Sequence, residues 1–271
     1  MASGALGLAP ARPRAAKDAV EPLRRFRAGA GSPAALVSYL QSAPSAASAA
    51  GPRVLLVHGT PGSAASWADY LVQPPGSAEV LAIDRPGFGS SGPRCAVPGL
   101  MAQAAALRLL LPQAERPVVL VGHSFGGPVV AHLAATLALD EPQRPVCLVL
   151  LAAAMDPALE EIHAMQRLGA WAPVRAVLPR VIRHANEELL ALKPELEALG
   201  ALLPRITARV LIVHGTRDDL VPVANVAYLQ ARLQNAASVQ TVLLEGRNHF
   251  LPWHSETEVR QALQQALECV C

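Results

Sequence analysis

The stretch Val118-Val119-Leu120-Val121-Gly122-His123-Ser124-Phe125-Gly126-Gly127 carries the decisive reading of this chain. An apolar run rich in β-branched residues stops abruptly at a serine boxed by glycines, and Val129, Val130, Leu133 and Leu137 then follow at helical spacing. The order is strand, sharp turn and helix, with Ser124 on the turn. Gly122-His123-Ser124-Phe125-Gly126 fits the G-x-S-x-G pattern, in which the serine takes a strained backbone conformation and the flanking glycines remove side chains that would clash. Such a turn lifts the hydroxyl off the sheet edge at a helix N-terminus, where backbone N–H groups point at a developing anion. A chain built around it must supply a base, an acid and a second anion donor elsewhere.

Composition narrows the rest. With 271 residues the chain can hold one large α/β domain with a small insertion. Its hydrophobic fraction is 52%, yet no uninterrupted apolar run reaches the roughly 18 to 20 residues of a membrane span. A soluble protein is expected, with a cytoplasmic location. Lys and Arg total 23 against 21 acidic residues, and a net charge of +2 offers no broad field for nucleic acid or anionic membrane. Cys95, Cys147, Cys269 and Cys271 show no C-x-x-C pairing and no companion histidines at metal spacing, so neither a metal site nor a cofactor is expected. Cys147 falls in an apolar run and reads as core, and the usage suits a reducing compartment.

Residues 1 to 34 are rich in Ala, Arg, Pro and Gly and lack a sustained apolar period, which predicts a poorly ordered N-terminal extension without a secretory h-region. Ordered structure is expected from Ala35, with an edge strand within Pro33–Leu40. Arg53–Val57 is a continuous apolar run, as a strand buried on both faces requires. It ends in His58-Gly59-Thr60-Pro61-Gly62, either a plain Pro-Gly turn or a loop with an anion-facing donor. Because Pro61 has no N–H, that donor would be Thr60, paired with the N–H of Phe125 directly after the serine. After the strand Glu79–Ile83, Gly87, Gly89 and Gly92 formally match G-x-G-x-x-G. Pro93 and Pro98 keep a helix from starting there, which argues against a dinucleotide site.

Beyond the strand Pro145–Leu151, residues 153–205 hold helical periodicities and no strand run, which predicts a helical cap inserted into a core of residues 35–152 and 206–271. Three short cap helices are expected, with Met155, Met165 and Trp171 either facing a pocket or packing the cap onto the body. The sheet resumes at Arg209–Val213 and stops at a loop with two candidate acids, Asp218 and Asp219. A last strand within Ser238–Leu244 leads to Asn248-His249-Phe250, and a helix from Glu256 to Leu267 closes the chain. Of eight histidines, His249 follows the last strand, on the sheet edge that carries Ser124; His254 is the fallback. A serine hydroxyl needs a neutral imidazole to take its proton, and a carboxylate to hold that imidazole's tautomer.

At this point the chain resembles the α/β-hydrolase family over roughly residues 35 to 268. The motifs that carry the resemblance are the turn at Ser124, His-Gly-x-Pro-Gly at 58–62, Asp-Arg-Pro-Gly-x-Gly-x-Ser at 84–91, Gly-x-x-Asp-x-x-Val-Pro at 215–222 and the late Asn-His-Phe. They occur in the family's order, with Ser, then acid, then His. The resemblance implies a mostly parallel, doubly wound sheet. It also implies that Ser124 is the nucleophile, His249 the general base and Asp218 the orienting acid, with Asp219 the alternative, and that Thr60 and Phe125 supply backbone oxyanion donors. The implied activity is a serine hydrolase cleaving carboxylic esters of small or medium apolar molecules through an acyl-enzyme. C–C bond hydrolysis of diketone-like substrates and non-catalytic ligand reception on the same fold are the alternatives.

Overall fold

The computed structural model describes residues 25–29, 36–45, 48, 50–112 and 116–270. The described strands are β1 (Arg25–Ala28), β2 (Val37–Gln41), β3 (Arg53–Val57), β4 (Glu79–Asp84), β5 (Val118–His123), β6 (Val146–Leu151), β7 (Arg209–Gly215) and β8 (Ser238–Leu244). They form one 8-stranded sheet in the order β1-β2-β4-β3-β5-β6-β7-β8. β1 and β2 pair antiparallel with their neighbours, and every pairing from β4 to β8 is parallel. The expected doubly wound, mostly parallel α/β sheet is therefore the observed architecture.

The described α-helices are α1 (Ala68–Val72), α2 (Leu100–Arg108), α3 (Gly126–Asp140), α4 (Ala164–Ala170), α5 (Ala172–Val177), α6 (Arg180–Gly200), α7 (Asn225–Arg232), α8 (Leu251–His254) and α9 (Glu256–Val270). Strand alternation divides the core into two. Leu55, Val57, Val118, Leu120, Leu148 and Leu150 face one cluster with side chains from α2, α3, α6 and α7. Val54, Leu56, Val119, Val121, Cys147 and Val149 face the other, with α1, α8 and α9. Strands covered on both faces read as unbroken apolar runs, which is why their positions are legible in the sequence. Cys147 is buried, as its apolar surroundings predict, whereas Cys271 lies outside the described residues.

The structure departs from the sequence reading in three places. Ordered structure begins before Ala35, because Arg25–Ala28 pairs with β2 and Phe26 stacks on Tyr39 with ring centroids 5.5 Å apart. Four residues are too few for a period to show, and the partner supplies the strand. The remainder of the expected extension, residues 1–24 and 30–34, lies outside the described residues. Second, helix α6 runs through Pro194 for 21 residues, joining segments that the periodicity divides. Proline removes one i→i−4 bond, but the buried face of Leu192, Leu196 and Leu199 holds the helix across it. Third, of the candidate pocket residues, Met155 is core, while Met165 and Trp171 are both 62% exposed, so neither packs the insertion onto the body.

Candidate active site

Every candidate residue lies at the C-terminal edge of the parallel strands. Parallel register sets Val57 beside Gly122, and His123 beside Leu151, so the loops that follow β3 and β5 emerge together. Ser124 comes directly after β5 with φ of 54°, in the left-handed region that costs a residue with a side chain about 1–3 kcal/mol. The surroundings hold it there. Its N–H donates to the Leu151 carbonyl at 3.0 Å, and its own carbonyl accepts from the Gly127 N–H at 2.9 Å. A Cβ on Gly126 would stand 2.5 Å from the Val57 carbonyl oxygen, and one on Gly122 would overlap Gly126. The glycines of the motif are thus required by close approach of backbone to backbone.

Asp218 and His249 meet across the loops after β7 and β8. His249 Nδ1–H donates to Asp218 Oδ2 at 2.8 Å. The other carboxylate oxygen accepts the N–H groups of Leu220 at 3.0 Å and Val221 at 2.7 Å, so the acid cannot rotate without losing both. A carboxylate is acceptor-only, so this contact fixes a proton on Nδ1, and the neutral form of the ring then carries its lone pair on Nε2. The two aspartates that the sequence leaves open now separate, because Asp218 is buried and Asp219 is exposed. His254 is exposed at the end of α8 against Asn248 Oδ1, away from this pair.

Two further imidazoles brace the pair. His123 Nε2–H donates to the His249 carbonyl at 2.9 Å, and their rings lie 4.9 Å apart, which ties the backbone of His249 to the residue before Ser124. His214 Nε2–H donates to the Val221 carbonyl at 2.9 Å and stands 3.5 Å from Asp218 Oδ2. Burial, then the nearby His249, pushes His123 down to about 3. Burial lowers His214 as well. Both are neutral donors whose protons are committed to carbonyls. The sequence alone gives these two no role beyond ending their strands; a polar residue closing an apolar strand is the signal that marks them.

The loop after β3 brings Gly59 against Ser124: a Cβ there would stand 2.8 Å from Ser124 Cβ and 3.3 Å from its Oγ. Thr60 follows, and its buried hydroxyl has no partner among the described residues. His58 Nδ1–H donates to the Gly59 carbonyl at 2.7 Å, and Nε2 accepts the Arg85 N–H at 3.1 Å. Burial and the Arg85 charge drive its pKa well below the ordinary imidazole value, so this ring is also neutral. Phe125 is buried and its residue caps the N-terminus of α3. Gly87 and Gly89, with φ of 86° and 52°, make a loop whose Asp84 carboxylate accepts from Ala64 N and Ser90 N. After β4 no helix begins until Leu100, which removes the geometric basis for a dinucleotide site. Among the described residues no group of three or more His, Cys, Asp or Glu could hold a metal ion, and no helix is long and apolar enough to cross a membrane.

Comparison with known proteins agrees with the fold. Lipase LipV of Mycobacterium tuberculosis is 32% identical over 251 residues, spanning 79% of this chain and 93% of that protein. The monoacylglycerol lipase of Paleococcus ferrophilus superposes with a TM-score of 0.66 at 19% identity, covering 85% of this chain and 98% of the other. A bromoperoxidase from Bacillus anthracis gives a TM-score of 0.66 at 20% identity over 90% and 100% of the respective chains. At such identities the solved structures speak to architecture alone. The model of the alpha/beta hydrolase family matches residues 54–262, from the strand before the His-Gly-x-Pro-Gly loop to the closing helix, and the chain belongs to that family.

Proposed function

We propose that this protein is a serine esterase that cleaves carboxylic esters of small or medium apolar molecules through an acyl-enzyme. Ser124 attacks the acyl carbonyl while His249 Nε2 takes its proton, and the N–H groups of Thr60 and Phe125 receive the oxyanion. His249 then protonates the leaving alcohol, and water activated by the same ring releases the acid. The observation that carries the reading is the buried 2.8 Å bond from His249 to an Asp218 locked by two backbone N–H groups. That arrangement holds a basic nitrogen in one tautomer, which a serine hydroxyl needs and a structural histidine does not. The name of the mycobacterial relative, a lipase, supports ester chemistry. Residues 153–205 act as the cap that bounds the acyl site.

A fluorophosphonate probe followed by peptide mass spectrometry tests the nucleophile. The expected adduct is on Ser124 and is absent from Ser124→Ala. Hydrolysis of p-nitrophenyl esters of graded acyl length then reports the pocket. A folded protein that takes no label and turns over no ester would sink the reading.

A further inference from the structure

The buried charges beside the candidate site lie in one arrangement that the acid–base pair does not use. Arg85, at the start of the loop after β4, and Glu188, in the middle of α6, are both fully buried and joined by paired bonds: Nη1–H to Oε1 at 2.6 Å and Nη2–H to Oε2 at 3.0 Å. Gln103 Nε2–H donates to the same Oε1 at 2.9 Å. Two further donors of the guanidinium go to the loop after β3: Nε–H to the His58 carbonyl at 2.9 Å and Nη2–H to the Gly59 carbonyl at 3.0 Å. Its carbon also lies 4.6 Å from the centre of the Phe125 ring and 4.9 Å from that of Phe88. One planar cation therefore touches both segments that carry the proposed oxyanion donors, the peptide before Thr60 and the side chain of Phe125.

The insertion grips this loop along one helical face. Arg180, His184 and Glu188 recur at a spacing of four along α6, which stacks them on one side of a helix. Arg180 donates to the Gly89 carbonyl at 3.1 Å, His184 Nδ1–H to the Gly87 carbonyl at 2.8 Å, and Glu188 accepts from Arg85. A buried ion pair is poor evidence of stabilisation, because desolvation offsets much of its attraction. What a forked, five-donor cation supplies is geometry.

We propose that Arg85, held by Glu188, is a positioning residue for catalysis: the insertion helix, through this pair, sets the separation of the Thr60 and Phe125 N–H groups that receive the oxyanion. The inference rests on the esterase reading above. It predicts that the pair matters to the transition state and little to ground-state binding, since a small displacement of a pre-organised donor costs rate.

The test is the double variant Arg85→Met/Glu188→Leu, because replacing a buried pair by apolar residues is often neutral for folding. Glu188→Gln, which leaves the cation unpaired, and Arg85→Lys, which keeps charge without the fork, accompany it. With a p-nitrophenyl ester, kcat of the folded double variant should fall about 100-fold with KM nearly constant. A trifluoromethyl ketone of matching chain, whose hemiketal oxygen occupies the oxyanion position, should lose affinity by a similar factor, and Arg85→Lys should recover little of either. Wild-type kcat and ketone affinity in the double variant, whatever its Tm, would overturn the proposal and leave the esterase reading intact. Wild-type protein that neither labels at Ser124 nor cleaves esters would overturn both. If the double variant fails to fold, Gln103→Met, which removes the neutral contacts to Glu188 and to the Val97 carbonyl but no charge, must still lower kcat and ketone affinity together; unchanged values would refute the idea.

Discussion

The turn at Ser124 and the insertion between β6 and β7 solve opposite problems. Around Ser124 nothing is free: β5 is buried along its whole length, glycines stand where no Cβ fits, and a strained residue is clamped by bonds to Leu151 and Gly127. In the insertion, α6 is anchored by Leu192, Leu196 and Leu199, whereas α4 and α5 contain no buried residue. Met165, Trp171 and Val177 are 62%, 62% and 81% exposed. A crowded turn can hold a reacting group within a fraction of an ångström, while a segment fastened along one helix can change its outer surface at little cost to the body.

The sharpest way to break this contrast is Ser124→Ala. If Ser124, His249 and Asp218 act as one unit, as serine-hydrolase triads do, kcat should fall by up to about 10⁶, measured by initial rates on a chromogenic ester. Next comes the pair of aspartates. Asp218→Asn should cut kcat by about 10⁴, by favouring the wrong imidazole tautomer, while exposed Asp219→Asn should leave it nearly unchanged. Equal, mild effects would mean that the bond from Asp218 to His249 is not used.

Smaller effects probe stability. Leu196→Ala, at a fully buried position of α6, should cost about 2–5 kcal/mol in denaturant unfolding. Acid should also weaken the fold. His58, His123 and His214 are held neutral, with His123 at about 3, whereas unfolded imidazoles take up protons below about 6.5. Between those values the unfolded chain binds more protons than the folded one, so stability falls as the pH is lowered through that window. Thermal melts at steps from about pH 7 to about pH 4 check the sign, and a flat Tm would show that these rings do not resist protonation. Trp171→Ser should move stability by no more than about 0.5 kcal/mol, because little of the ring leaves a packed environment. A large loss there would erase the contrast between the two faces of the insertion.

How much is legible in the sequence follows the same division. Strands β3 to β7 show as apolar runs that end in turn residues, among them the turn at Ser124. Strand β1 does not, since four residues at an edge acquire their structure from Val37–Gln41. The periodicity divides the insertion into three short helices, whereas the packing of Leu192 and Leu196 holds one continuous helix from Arg180 to Gly200. The exposure of Met165 and Trp171 is equally hidden, because an apolar residue on a helical period announces a face but not what covers it.

Local order alone marked the buried strands, the turn that bears Ser124 and the candidate order of Ser, acid and His, because burial on both faces and close backbone approach leave marks in consecutive residues. That Asp218 and not Asp219 meets His249 rested on which carboxylate turns toward Leu220, Val221 and His249. The union of Arg85 with Glu188, separated by 103 positions, rested on the docking of α6 against a loop it never approaches in sequence. Contacts of that kind arise from chain topology, and no pattern of neighbouring residues encodes them.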